Sequence, residues 1–130
     1  MERLEFKSKV TAEKVVHTEV VIMQKEEHIL KVVKLMKDYG FSQIPVFTGK
    51  QSVGSISEKT VLRQILAGKD LDQISALPAE EIMEEAFPQI SEDAPLPVIS
   101  SLLQDYSGLL VAKKGEVMGI VTKADLLRML

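Results

Sequence analysis

The pattern best suited to chemistry is Thr122-Lys-Ala-Asp125, where the apolar run MGIV passes into ADLLRML. A helix starting here leaves backbone N–H groups without intrahelical partners and carries a partial positive charge, which suits a phosphate. The Thr122 hydroxyl adds to phosphate contacts. Asp125, one turn on, can accept hydrogen bonds from both hydroxyls of a ribose. The same Thr-x-x-acid spacing is also a capping box, in which the side chains serve the helix's own backbone. The two uses can coexist, because capping takes only part of each side chain's hydrogen-bonding capacity. Lys123, and Lys59 and Arg63 earlier in the chain, are candidate phosphate partners; their ordinary alternative is a solvated surface charge. An earlier junction, Ser57-Glu-Lys-Thr60, has the same form with Thr60 in place of the acid. A neutral hydroxyl does not clamp a diol as a carboxylate does, and Glu58 sits at the wrong helical position to substitute. This junction is expected to be empty or weak.

Nothing comparable supports catalysis. His17 and His28 have no acidic partner at metal-ligand spacing, so neither is expected to be a ligand or a base. Phosphate-binding Gly-rich loops, H-E-x-x-H and G-x-S-x-G are absent from the sequence. There is no cysteine, which removes disulfides, thiolate metal sites and cysteine nucleophiles. The expectation is a protein that is not an enzyme, with no catalytic residue, no metal and no obligatory cofactor.

Composition narrows the partners. With 16 basic and 19 acidic residues the net charge is −3, which does not support a large nucleic-acid footprint, although the interspersed charges leave room for a local basic cleft. Apolar residues make up 45% and charged residues 27%, the balance of an ordinary globular domain. No stretch approaches the roughly 18 apolar residues of a membrane span. The opening MERLEFKSKV is charged and lacks the apolar core of a secretory signal. A cytoplasmic location, without membrane or direct nucleic-acid contact, is expected.

The elements that must position Thr122 and Asp125 occur twice. TAEKVVHTEVVIM aligns with PAEEIMEEAFPQI, and KLMKDY with SLLQDY, at an offset of 67; after Gly40 and Phe41 the offset becomes 65, and VGSISEKTVLRQIL aligns with MGIVTKADLLRML. Each copy opens with a short helical segment and a brief extended piece, VVIM or FPQI. An amphipathic helix follows, carried by Ile29, Val32, Val33, Leu35 and Met36, or by Val98, Ile99, Leu102 and Leu103. Two apolar strands then flank a turn: IPVF and SVGSI around TGKQ, GLLVA and VMGIV around KKGE. A last helix closes each copy, with Val61, Leu62, Ile65 and Leu66, or Leu126, Leu127 and Leu130, as its apolar stripe. The divisions are an extension over 1–10, a first repeat over 11–66, a connector over 67–77 and a second repeat over 78–130.

This arrangement resembles the CBS domain. The resemblance rests on SQIPV followed by VGSISEKT in the first copy, and on EEIMEEAFPQISEDAPL and MGIVTKAD in the second. It implies an α+β architecture of the α/β-type CBS fold, two βαββα repeats packed as a pseudo-twofold intramolecular dimer. It also implies a Bateman-type sensor that binds an adenosine-containing ligand in the cleft between repeats. AMP, ADP, ATP and S-adenosylmethionine are the candidates. By the same resemblance Thr122 meets phosphate and Asp125 clamps ribose, while Ser91, Ala94, Ser107, Gly108, Leu109, Leu110 and Ile120 surround the base, with Lys123 near the phosphate. Leu109, Leu110 and Ile120 could instead be ordinary core, Gly108 could serve a turn, and Ser91 could cap a helix beginning near Ala94. A homodimer of the module is expected, with a separate effector. GFSQIPVF with VGSISE resembles the pairs attached to archaeal helix-turn-helix regulators, although only ten residues precede the first repeat. A ligand-free dimerisation scaffold is the alternative.

Overall fold

Turn chemistry and short apolar runs fix the two hairpins first. Strands β2 (Gln43–Thr48) and β3 (Gln51–Ser57) pair antiparallel, and so do β5 (Gly108–Lys113) and β6 (Glu116–Thr122). Each pair is joined by a two-residue turn. Gly49 takes φ +60 in one; Lys114 and Gly115 take φ 51 and 81 in the other. Two successive positive φ values match the turn to the right-handed strand twist. Both hairpins carry an irregularity at the same place, Val46/Phe47 and Val111/Ala112. A short parallel strand completes each three-stranded sheet: β1 (Met23–Gln24) on β2, and β4 (Gln89–Ser91) on β5. The computed structural model describes residues 11, 12 and 21–129.

The helices follow from the apolar stripes. Helix α1 (Ile29–Tyr39) buries Ile29 and Val32, and packs Val33, Leu35 and Met36 around them. Gly40 ends it in the left-handed conformation (φ 72), its N–H bonded to the Met36 carbonyl. The matching helix α5 (Leu96–Asp105) buries Ile99 and Leu103 and ends on an extended Tyr106, with no left-handed residue. The extra Gly40 and Phe41 are what shift the repeat offset from 67 to 65. Helix α5 begins at Leu96 behind Pro95, so Ser91 is not its cap; the Ser91 hydroxyl instead accepts from the Asp93 N–H at 3.1 Å. Helices α2 (Glu58–Leu66) and α6 (Lys123–Met129) close the two repeats.

Two further short helices complete the chain. In the connector, α3 (Leu71–Ser75) is closed by an Asp70/Gln73 capping box and drives Ile74 into full burial. Burying a side chain of that size contributes about 1.5–3 kcal/mol, enough to hold a five-residue helix that would not persist alone. Helix α4 (Ala79–Ile82) is the opening segment expected of the second copy. Most of the corresponding TAEKVV segment lies outside the described residues.

The chain forms two compact units, and they do not follow the sequence repeats. One comprises Val21–Ala86; the other contains Thr11, Ala12 and residues 87–129. Helix α4 belongs to the first: the Ala79 N–H donates to the Glu27 carbonyl (2.8 Å), beside a bridge between His28 and Pro78. Ala12 belongs to the second: its N–H donates to the Ala94 carbonyl (2.9 Å), beside a bridge between Thr11 and Pro95. These eight positions correspond in four pairs at the offset of 67. Each unit has its own core, built on Met23, Ile29, Ile44, Val46 and Ile56 in one and on Ile90, Ile99, Leu109, Val111 and Val121 in the other.

The expected closing stripe on α2 is only partly buried. Val61 packs on the core, but Leu62, Ile65 and Leu66 are exposed, Leu66 at 78%. Helix α6 repeats this, with Leu126 on the core and Leu127 exposed.

Candidate functional site

Pairing register decides which expected residues meet. In the second unit Gly108 pairs with Thr122, Leu110 with Ile120, and Ser91 with Ala112. Side chains alternate along a strand. Gly108, Leu110, Ile120, Thr122 and Ser91 therefore share one face of this sheet. Leu110 is fully buried, Gly108 is buried, Ile120 is half-buried and Ser91 is exposed. Leu109 does not join them. It pairs with Val121 and lies on the opposite face, in the core with Ile99 and Leu103. Ala94 is half-buried against that same core, and Ser107 is exposed in the bend before β5.

Thr122 ends β6 and stands one residue before α6. Asp125 is 4% exposed, unusual for a carboxylate, and its partners explain how it is tolerated. One carboxylate oxygen accepts the Thr122 N–H at 2.7 Å and the Thr122 hydroxyl at 3.1 Å. The other accepts from the Arg128 guanidinium, one helical turn on. The carboxylate half of a capping box is thus in place. Arg128 is an addition to the expected residues. Its signal was the three-residue spacing from Asp125 within ADLLRML, which puts both on one helix face. Lys123 is exposed at the first position of α6.

The corresponding junction of the first unit is built differently. Ser57 and Thr60 form a complete capping box: the Ser57 hydroxyl accepts the Thr60 N–H, and the Thr60 hydroxyl oxygen accepts the Ser57 N–H at 3.0 Å. Thr60 is 3% exposed and donates its own proton to Glu84 at 2.6 Å. Arg63 holds the other Glu84 oxygen at 2.7 Å. Glu58 and Lys59 are exposed. Glu84 could not be found from the sequence, because it lies 24 residues from Thr60 with no local pattern linking them. Gln24 is also committed, its amide spanning the Gly49 N–H and carbonyl at the hairpin turn.

Other chemistry is sparse. Among the described residues no group of three or more His, Cys, Asp or Glu could hold a metal ion. No helix among them is long and apolar enough to cross a membrane. An open depression runs along α1, lined by residues including His28, Lys31, Lys34 and Tyr39, and contains none of the expected ligand residues.

Comparison with known proteins agrees with the repeat. The family model of the CBS domain matches residues 12–67 and 79–130. Cystathionine beta-synthase of Dictyostelium discoideum is 30% identical over 98 residues; the match covers 73% of this chain and only 20% of that protein. Among solved structures, a CBS domain-containing protein of unknown function from Bacillus anthracis superposes with a TM-score of 0.82 at 17% identity, over 97% of this chain and 96% of that one. A Methanocaldococcus jannaschii protein, described as a proposed archaeal homolog of g-AMPK, gives 0.80 at 20% identity over 94% of this chain and 48% of that one. At these identities the structures establish the fold, while the two family matches establish kinship: the chain belongs to the CBS-domain family, as a tandem pair of the repeats that serve as regulatory modules.

Proposed function

We propose that this CBS pair is a non-catalytic sensor whose second unit binds an adenosine-containing ligand. CBS domains commonly bind such ligands; AMP, ADP, ATP and S-adenosylmethionine all carry the required ribose and adenine. The supporting observation is the buried carboxylate of Asp125 next to the sheet face that carries Ser91, Gly108, Leu110 and Ile120. In this reading Asp125 accepts the ribose hydroxyls, Thr122 and Lys123 meet phosphate where present, and Leu110, Ile120 and Ser107 border the base. Arg128 lies 63% exposed and moves aside to free its carboxylate oxygen. Ligand changes the module's output only by its difference in affinity for two arrangements of the protein. The output is read by a separate effector in the cytoplasm. The module works as a homodimer through exposed helix faces such as that of Leu62, Ile65 and Leu66.

A second reading is a ligand-free dimerisation scaffold. The observation favouring it is that Thr122 and Arg128 already engage both oxygens of Asp125. Mass spectrometry of small molecules retained through gentle purification, followed by calorimetry with AMP, ATP and S-adenosylmethionine, separates the readings. A retained adenosine compound that rebinds stoichiometrically supports the sensor. No heat with any of the three supports the scaffold.

A further inference from the structure

The two strand-to-helix junctions use the same three positions, Ser57/Thr122, Thr60/Asp125 and Arg63/Arg128, at the offset of 65. In the second unit the carboxylate comes from the helix itself, as Asp125 paired to Arg128. In the first, the helix position is Thr60, and Glu84 brings the carboxylate from outside the helix to the equivalent arginine, Arg63. Glu84 is held there by more than its side chain. Its backbone exchanges two hydrogen bonds with Ser55 of β3, at 3.0 and 2.8 Å, and the Ser55 hydroxyl donates to the Glu85 carbonyl at 2.6 Å. Met83, one residue earlier, lies so close to Gly54 that a Cβ there would sit 2.4 Å from its sulfur. The segment is therefore pinned on β3 by its backbone, and the carboxylate is delivered to Thr60 by a fixed tether.

We propose that Glu84 is an internal occupant that shuts the first junction, so that the pair takes ligand at the second junction only. The inference rests on the adenosine reading above for its choice of probe. An incoming ribose hydroxyl or phosphate oxygen at Thr60 meets a hydroxyl whose proton is already given to Glu84. It also meets a carboxylate that repels phosphate and already neutralises Arg63. The tether makes this competition intramolecular, which external ligand at ordinary concentration does not win. Restoring the second-unit chemistry needs two changes together: removal of the Glu84 charge and a carboxylate at position 60.

The test is calorimetry with AMP on the full chain, counting sites per chain in the parent, in Glu84→Gln, in Thr60→Asp and in the double variant Glu84→Gln/Thr60→Asp. Glu84→Gln keeps side-chain length and the backbone pair with Ser55. Thr60→Asp alone sets two carboxylates against each other and adds no site. The double variant binds one more AMP per chain than the parent, with affinity within about tenfold of the Asp125 site if the two junctions are equivalent. A gain of one site in the double variant supports the shutter whatever the parent binds, so a parent that binds no AMP defeats the Asp125 reading without defeating this one. Equal counts in all four proteins overturn it. So does a gain in Thr60→Asp alone, since Glu84 would then be no obstacle. Thermal unfolding of the same proteins confirms that each is folded when titrated, and Glu84→Ala in the Thr60→Asp background provides a second double variant with the same expected count.

Discussion

Replacing Asp125 by alanine separates its two roles by magnitude. The carboxylate accepts the Thr122 N–H, the Thr122 hydroxyl and Arg128 in a site only 4% exposed. Losing a helix cap costs about 0.5–2 kcal/mol. Leaving a half-buried donor unsatisfied adds about 1–3 kcal/mol before any relaxation. Thr122 can turn its hydroxyl to solvent, so the sum settles near 2–3 kcal/mol, more than a surface cap alone would cost. At about 2.1 cal/mol/K per residue of unfolding entropy, a chain of 130 residues loses roughly 4 °C of Tm per kcal/mol. Asp125→Ala should then melt about 8–12 °C below the parent. In the proposed adenosine site the diol would lose two charge-assisted hydrogen bonds, so the expected fall in affinity for AMP, ATP or S-adenosylmethionine is on the order of a hundredfold. Asp125→Asn is the companion: it keeps an acceptor for the Thr122 N–H but not the charge that Arg128 and the ribose use. Calorimetry well below the melting range reads binding, and scanning calorimetry reads stability. A variant that melts as expected yet binds these ligands like the parent would refute the clamp and leave Asp125 as a cap alone.

Three further outcomes follow from local geometry. Gly54→Ala places a Cβ 2.4 Å from the Met83 sulfur and 3.1 Å from the Glu84 carbonyl; the thioether can move but the bonded carbonyl cannot, so denaturant titration should show a loss of about 1–2 kcal/mol where a strand glycine usually gains from alanine. Lys114→Asn suits the left-handed turn position (φ 51) better than lysine and should gain about 0.5–1 kcal/mol in the same assay. Glu27 has its carboxyl held below the ordinary value of 4.5, first by the Gln24 N–H and then by Lys31. A carboxyl lowered on folding contributes its stability above the unfolded value and loses it as pH falls through the folded one. Glu27→Gln should therefore be less stable than the parent at neutral pH, with the gap closing below about pH 4.5 in pH-dependent melts.

The sequence was most informative where local physics decides. Short apolar runs around turn residues placed both hairpins, and 3- and 4-residue spacings placed α1 and α5, because these signals need no partner. The same spacing overstated the burial of Leu62, Ile65 and Leu66: periodicity defines a face but not what covers it. Ser91 suggests a cap, but the helix starts two residues later than expected, behind Pro95, which makes no side-chain cap bond, and such a shift leaves no trace in composition. Thr122 and Asp125 were legible as a pair because three residues separate them. Glu84 was not, because its tie to Thr60 and Arg63 exists only once α4 has docked and Glu84 has paired with Ser55.

The reciprocal placement of Ala12 and α4 has a consequence for any attempt to halve the protein. A cut in the 67–77 connector yields fragments that match the sequence repeats but not the folded units. The fragment ending there lacks α4, leaving the Lys25 and Glu27 carbonyls without the N–H groups of Glu80 and Ala79; the other lacks Ala12, leaving the Ala94 carbonyl bare. Each fragment carries the piece the other is missing. Mixed together, the two should fold as a non-covalent heterodimer. Alone, either must borrow its missing opening segment from a second copy of itself.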